Sequence, residues 1–427
     1  MASQRINTIN QDNLSAKKMK YVLPEDQVYW QKIFQVADNL GQAYGFGKID
    51  LPLAEKFNVF AKPIGSMATS LEKKSLGVKN KTKEKMILRP FLAPAFCRAY
   101  LENKMADFNQ PVKLYSFGPV FCDSKEEAEH QSWQAGFGVF GQKDPVVDAQ
   151  SIYLFLNILK DLSLKGLSVQ INNIGCNQCR PNYRKALNEY YRYKTRLICK
   201  NCRDNFKENP LRLLECEGKD CQPIAEAAPQ MFDYLCQDCR SHFKNVLEYL
   251  DELEIPYFLN SSLIGANDYY NRIVFEIWPE EANQGQKISL AEGGRYDNLT
   301  KSLGRKPTPF FGANLEIENI VALMKSRKIQ LQNKYQPKLF LIQIGDTSRK
   351  KSLRLFEDLR RSGLRVAEAF TQNSFRSQLK EAENLAVKYA LILGQKETLD
   401  ETLIIREMDS GAQETVPLSK AIKVIKK

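Results

Sequence analysis

Residues 112–123 read VKLYSFGPVFCD, and residues 135–142 read AGFGVFGQ. Aromatic and β-branched residues recur in both stretches, which is typical of strands in a sheet. An amphipathic helix is predicted before them over 24–44, and a further helix follows over 148–165. The sequence therefore predicts an α+β core in which an antiparallel sheet is flanked by helices.

The chain of 427 residues is too long for one ordinary hydrophobic core and is expected to form two or three domains. Composition shifts predict a core over 1–170 and 246–326, interrupted by a cysteine-rich insertion over 171–245. Strand-like and helical runs alternate over 337–427, which indicates a separate α/β domain.

The overall composition excludes several classes of protein. Apolar residues make up 43% and charged residues 26% of the chain, as in ordinary globular proteins, and no apolar run is long enough to cross a bilayer. The first twenty residues are polar and lack the pattern of a secretory signal, so we expect a cytoplasmic protein. The net charge of +12 favours polyanionic partners such as structured RNA, although a basic but merely soluble surface has the same composition.

The cysteines carry the clearest chemical pattern. Eight of the ten form four close pairs: Cys176 with Cys179, Cys199 with Cys202, Cys216 with Cys221, and Cys236 with Cys239. This count predicts two structural zinc sites with four thiolates each, and free thiols are the alternative. The sequence does not determine which pairs share a metal. His242 follows Cys239 by three residues and is a lesser candidate for replacing one thiolate.

Several segments along the chain together resemble histidyl-tRNA synthetase, a class II aminoacyl-tRNA synthetase. They include ILRP with CRAYLEN, YSFGPVF, QAGFGVFG, RPNYRKAL, NPLRLLEC, APQMFDYLCQDCRSHF, NDYYNRIVFEI, GGRYDNL and YALILGQKE. The resemblance implies a class II catalytic core, an anticodon-binding-like C-terminal domain, a tRNA partner and a homodimer.

The positions that hold ATP in this family are substituted here. Cys122 stands where the second motif of the family has an arginine, and acidic residues follow it over 123–129. Gly265 stands where an arginine precedes the histidine-specific motif. Glu316 and Asn319 replace the glycine and the arginine of the third motif.

The histidine pocket that the resemblance implies is altered as well. Phe91, Ala93 and Gly138 replace residues that contact the substrate histidine in the family. The following residues remain at pocket positions and are candidates for a ligand site or for fold maintenance: Gln134, Tyr269, Tyr270, Gly293, Gly294 and Arg295.

These substitutions lead to three hypotheses. The first is a relative that does not activate histidine and is kept as a tRNA-binding, RNA-binding or regulatory protein, with a protein partner as one possibility. The second is an active histidine–tRNA ligase that uses ATP and Mg²⁺ with displaced basic residues such as Lys125, Arg272 or Arg305. The third is a pocket for a ligand less polar than histidine, because Phe91 is apolar and carboxylates are lost. The regulatory subunit of ATP phosphoribosyltransferase uses the same fold but lacks the C-terminal domain that this chain keeps.

Overall fold

A computed structural model describes residues 19–65, 68–81, 83–123, 130–206, 209–216, 218–265, 269–281, 288–331 and 336–426. The chain divides into two compact units, Met1–Gln330 and Leu331–Lys427. Among the described residues, no helix is both long and apolar enough to span a bilayer.

The first unit contains most of the helices and strands. Its helices are α1 (Pro24–Ala43), α2 (Phe57–Ile64), α3 (Ala68–Lys74), α4 (Ala93–Glu102), α5 (Pro145–Asp161), α6 (Arg180–Arg192), α7 (Lys200–Asn205), α8 (Gln222–Glu226), α9 (Gln237–Glu252), α10 (Leu299–Ser302) and α11 (Ile317–Ser326). Its strands are β1 (Gly47–Lys48), β2 (Ala54–Lys56), β3 (Gly77–Val78), β4 (Met86–Leu88), β5 (Val112–Phe121), β6 (Gln131–Phe140), β7 (Leu167–Asn173), β8 (Tyr257–Leu259), β9 (Asn271–Pro279), β10 (Ala291–Arg295) and β11 (Phe310–Glu316).

The main sheet has eight strands in the order β1-β5-β6-β11-β10-β9-β7-β8, and β2, β4 and β3 form a small separate sheet. The predicted neighbours β5 and β6 pair antiparallel along their whole length, from Val112 opposite Phe140 to Phe121 opposite Gln131. The expected sheet flanked by helices is therefore confirmed. Only the two edge strands differ from the prediction, since β1 and β8 pair parallel with their neighbours. In each of these pairs a long connection joins the two strands, and parallel pairing requires such a connection.

The predicted helices begin and end close to the expected residues because their apolar side chains meet a core. In α1, Trp30, Ile33 and Ala37 are buried at helical spacing. The insertion between β7 and β8 packs into the same hydrophobic cluster as the sheet, with Tyr183 and Leu187 of α6 in it. The domain boundaries drawn from composition stay a prediction.

The second unit has a five-stranded sheet in the order β13-β12-β14-β15-β16. Its elements are β12 (Leu339–Gln343), α12 (Asp346–Arg361), β13 (Val366–Glu368), α13 (Phe375–Asn384), β14 (Tyr389–Leu393), α14 (Gln395–Leu399), β15 (Thr402–Glu407), β16 (Gln413–Pro417) and α15 (Ala421–Ile425). The alternation of strands and helices predicts this α/β unit correctly. Its last two strands are antiparallel.

Candidate binding cavity and metal centres

A cavity of about 640 Å³ lies in the first unit, at the middle strands of the main sheet. The strand register explains which side chains reach it. Gln134 on β6 lies opposite Glu316 on β11, and Asn314 on β11 lies opposite Glu292 on β10. Directly opposed residues, and residues two apart on one strand, place their side chains on the same face of a sheet. These four side chains therefore line the cavity together.

Three carboxylates, those of Glu292, Glu316 and Glu318, lie in the wall of this cavity together with two cations, Lys74 and Arg212. Burial and, to a lesser extent, the neighbouring carboxylates of Glu276 and Glu215 together raise the pKa of Glu292 to about 7. The Glu316 carboxylate accepts a hydrogen bond from Gln134 Nε2 at 2.8 Å, and Glu318 also lines the cavity. The carboxylates that the family pattern has at the positions of Phe91 and Gly138 are absent, but Glu292, Glu316 and Glu318 contribute others to the lining.

Sequence reasoning did not single out Glu292. It lies in the stretch AEGGR, where the other four residues of β10 are buried. A charged residue inside an otherwise buried strand is the signal that would have found it.

The substituted ATP and histidine positions fall largely at this cavity. Phe91, Cys122, Glu316 and Asn319 all line it. Asn319 Nδ2 is engaged at the rim, where it donates to the backbone oxygen of Ser289 at 2.8 Å. Ala93 is buried at the start of α4. The acidic segment 124–129, including Lys125, lies outside the described residues.

At two of the substituted glycines, neighbouring rings occupy the space that a side chain would need. Gly265 has a φ of +77°, and a Cβ there would lie 3.0 Å from the ring of Tyr270. A Cβ at Gly138 would lie 2.9 Å from the ring of Phe310, which stacks on Phe140 with centroids 3.9 Å apart. A longer side chain at either position therefore requires the neighbouring ring to move.

The residues kept from the family pattern are divided between the cavity and the core. Gln134, Tyr269 and Tyr270 line the cavity. Gly293 and Gly294 lie against backbone, since a Cβ there would meet carbonyl oxygens of neighbouring strands at 2.5 and 2.2 Å.

Arg295 is outside the set of residues that line the cavity and belongs to a buried charge cluster. Its guanidinium donates to both carboxylate oxygens of Asp148, at 2.7 to 3.1 Å, and both residues are almost wholly buried. His242 Nε2 lies 3.2 Å from Asp148 Oδ2, so this histidine belongs to the charge cluster and not to a cysteine group.

We expect Asp148→Asn to destabilise the protein by about 3 kcal/mol, because it leaves a buried guanidinium short of its counter-charge. Chemical denaturation measures the effect. Asp161→Asn at the exposed end of the same helix is the control and should change stability by less than about 0.5 kcal/mol. Equal effects of the two substitutions would contradict a stabilising role for the Arg295–Asp148 pair.

The eight paired cysteines form two groups, and the fold decides their pairing. Cys176, Cys179, Cys236 and Cys239 make one group, and the other consists of Cys199, Cys202, Cys216 and Cys221. Within each group the four sulfur atoms lie within 4.8 Å of one another. The groups form because α6 and α9 bring the first and last pairs together, whereas the two middle pairs meet within the insertion.

Two sulfur–sulfur distances in the first group match those of a tetrahedral site. Cys176 Sγ lies 3.7 Å from Cys179 Sγ and 3.9 Å from Cys236 Sγ. Zinc–sulfur bonds of about 2.3 Å separate thiolates in a tetrahedron by about 3.8 Å. Burial raises the pKa of Cys176, but hydrogen bonds with the amides of Gln178 and Cys179 and with the thiols of Cys179 and Cys239 together lower it to about 7, which favours the metal-binding thiolate. Each group could hold a metal ion.

A second, basic groove of about 840 Å³ runs along α6 in the insertion. Arg180, Arg184, Lys185 and Arg192 line it. Arg180 also donates to the backbone oxygen of Tyr270, which lines the cavity at the main sheet. The groove therefore combines several cations that can meet phosphates, and one of them contacts the wall of the cavity.

Comparisons with known proteins agree with the fold. The family described as histidyl-tRNA synthetase matches residues 18–320, and the anticodon binding domain matches residues 338–427. The histidine–tRNA ligase of Dehalococcoides mccartyi is 35% identical over 408 residues, which cover 95% of this chain and 97% of that protein. The ligase of Desulforamulus reducens is 33% identical over 407 residues, covering 95% of this chain and 97% of its own.

A solved structure gives the same result. The crystal structure of apo histidyl-tRNA synthetase from S. aureus superposes with a TM-score of 0.81 at 27% identity, covering 97% of this chain and 99% of that one. The resemblance drawn from the sequence motifs is confirmed. The chain belongs to the histidyl-tRNA synthetase family and has a class II synthetase core followed by an anticodon-binding domain.

Proposed function

We propose that this member of the family does not activate histidine and that it acts as a tRNA-binding or regulatory protein. One observation carries the proposal: Glu292, Glu316 and Glu318 line the cavity in which ATP and histidine would have to bind. Adenylate formation places negative charge on a phosphorus atom, and cations aimed at that charge stabilise the transition state. Carboxylates at the same place oppose it.

The substituted positions support the same conclusion. Cys122 and Asn319 line the cavity without a positive charge, and Gly265 has the ring of Tyr270 where a side chain would begin. A slow enzyme is compatible with the loss of one arginine. The loss of three cations that would meet the phosphates of ATP and the activating carboxylate leaves little transition-state stabilisation.

The alternative is an active histidine–tRNA ligase, and two observations favour it. Lys74 and Arg212 line the cavity and could meet phosphates of ATP with Mg²⁺. The relatives that are at least 33% identical are named histidine–tRNA ligases. Histidine-dependent ATP–pyrophosphate exchange separates the two functions.

We further propose that the two cysteine groups hold structural zinc. Four thiolates close the coordination sphere, so neither metal would have a position for a reacting water. Zinc-binding cysteines must stay unoxidised. A reducing compartment keeps them so, which fits a cytoplasmic protein. A homodimer, as is common among class II synthetases, completes the proposal.

Binding of tRNA is expected to weaken by about 10²- to 10³-fold between 50 and 200 mM NaCl, because several cations displace counterions from phosphates. Filter binding or fluorescence anisotropy with total tRNA measures the slope. Lys185→Glu with Arg192→Glu changes two exposed cations of the α6 groove and should make the slope shallower by about two phosphate contacts.

The control exchanges the charges of an exposed ion pair on α9, Lys244→Glu with Glu248→Lys, which keeps the net charge. Affinity that does not depend on salt, or an equal loss in the control, would contradict RNA binding through the α6 groove. Absence of both tRNA binding and pyrophosphate exchange would leave a protein partner as the reason for the basic surface.

A further inference from the structure

The cavity contains a buried hydrogen-bond acceptor that has no donor among the described residues. Gln134 is 6% exposed and lines the cavity. Its Nε2 donates to Glu316, but its Oε1 is buried and has no hydrogen-bond partner among the described residues. A buried acceptor without a donor is costly, so the amide oxygen favours a ligand that brings an N–H group.

Glu292 adds a negative charge on the same face. The charged groups that shift the pKa of its carboxylate, among the described residues, are Glu276 and Glu215, and both are themselves acidic. Three carboxylates in one buried region repel one another, and a bound cation removes that repulsion.

Aromatic rings complete the cavity. Phe91, Tyr269 and Tyr270 line it, and the last two stack with centroids 5.4 Å apart at an angle of 11°. The faces of aromatic rings attract ammonium and guanidinium groups. The rings also pack against the aliphatic carbons of a ligand. Neither the aromatic rings nor the carboxylates of this cavity attract a phosphate group.

We propose that this cavity binds a small organic cation with amine or guanidinium donors, which hydrogen-bonds to Gln134 Oε1 and pairs with Glu292. The aliphatic part of the ligand packs against Phe91 and Tyr269. The volume of about 640 Å³ is within the usual range for a small-molecule site. Glu292, Glu316 and Glu318 disfavour a nucleotide or a free amino acid at this place, because they repel its phosphates or its carboxylate, while Lys74 and Arg212 are the cations of the lining that oppose this preference.

Binding is tested with agmatine and putrescine as probe cations on the full-length, RNA-free protein, by calorimetry and thermal shift at constant ionic strength. We expect at least one of them to bind at millimolar concentration or below. The uncharged analogue 1,4-butanediol should not bind, and ATP and L-histidine should bind at least tenfold more weakly than the better cation.

Glu292→Gln keeps the shape of the side chain and removes its charge, so it should weaken cation binding at least tenfold. Glu248→Gln is the matched control, because Glu248 is exposed on α9 and outside the set of residues that line the cavity. It should leave binding unchanged.

The thermal stability of Glu292→Gln shows whether weaker binding comes from a changed site or from an unfolded protein. Glu292 faces the carboxylates of Glu276 and Glu215 and the phenol groups of Tyr270 and Tyr296. Its pKa is raised by folding to about 7, so the folded state without ligand loses stability as pH rises from about 4.5 to 7. At pH 8, Glu292→Gln should therefore melt at the same temperature as the natural protein or a few degrees higher.

Weaker cation binding in a variant that is at least as stable supports the site. The proposal is overturned if neither cation binds, if ATP or L-histidine binds more tightly than both, or if Glu292→Gln binds the cations as well as the natural protein does.

Discussion

Histidine-dependent ATP–pyrophosphate exchange by the purified protein is expected to be at least about 10⁴-fold slower than exchange by the Dehalococcoides mccartyi ligase. Removing one preorganised donor to a developing negative charge commonly costs about 3 kcal/mol, or roughly two powers of ten in rate. Cys122, Gly265 and Asn319 each stand where the family pattern has an arginine. The effects of groups that stabilise the same transition state do not add simply. We therefore count the three substitutions as about two such losses in rate, or about 10⁴-fold.

The assay uses radiolabelled pyrophosphate, saturating histidine and Mg·ATP, with the Dehalococcoides mccartyi enzyme measured in parallel. Exchange within about tenfold of that enzyme would contradict the proposed loss of activity. Lys74→Ala with Arg212→Ala would then identify the cations responsible, because both residues line the cavity.

Partial restoration is a stronger test of the cause. Cys122→Arg, Glu316→Gly and Asn319→Arg together return two cations to the cavity and remove one carboxylate. We expect this triple variant to bind ATP more tightly than the natural protein, by tenfold or more. Full exchange activity is not expected, because Gly265 and Gly138 still stand where the family pattern has an arginine and a glutamate.

Removal of metal is expected to unfold the insertion and to lower the melting temperature by more than about 10 °C. Structural zinc sites contribute on the order of 10 kcal/mol of apparent folding free energy, and a few kcal/mol already shift the midpoint by many degrees. Cys179 and Cys239 of one group and Cys202 and Cys221 of the other are buried in the hydrophobic cluster of the first unit. Loss of metal therefore disturbs the packing around both groups.

Elemental analysis should find two zinc ions per chain in the natural protein and one in Cys176→Ser or in Cys199→Ser, because these residues belong to different groups. Cys122→Ser is the control: this cysteine lines the cavity outside both groups and should keep two zinc ions. Clearly fewer than two metals per chain, with a melting temperature unchanged by a chelator, would contradict structural zinc.

Sequence reasoning did not identify Glu292 as a cavity residue, and there is a physical reason for this. Comparison with the family motifs directs attention to positions where charged residues have been lost. Glu292 lies directly before the glycines and the arginine that match the family motif, so no motif position marks it. Its effect depends on Glu276 and Glu215, which lie far from it in the sequence and meet it only through the β9–β10 pairing and the insertion.

Arg295 shows the opposite case. The motif GGRYDNL identifies it as a pocket residue, yet its guanidinium is buried against Asp148 on α5. A strand position alone does not tell which partner a long side chain reaches, because the partner is supplied by another element.

The sequence by itself determined the family, the α+β core, the α/β domain and the cysteine pairs, because these depend on local patterns and on motifs that keep their order along the chain. The tertiary structure decided which cysteine pairs lie together, which retained residues line the cavity, and that Glu292, Glu316 and Glu318 are among its lining. These properties depend on strand register and on contacts between residues far apart in the chain. Local patterns contain neither.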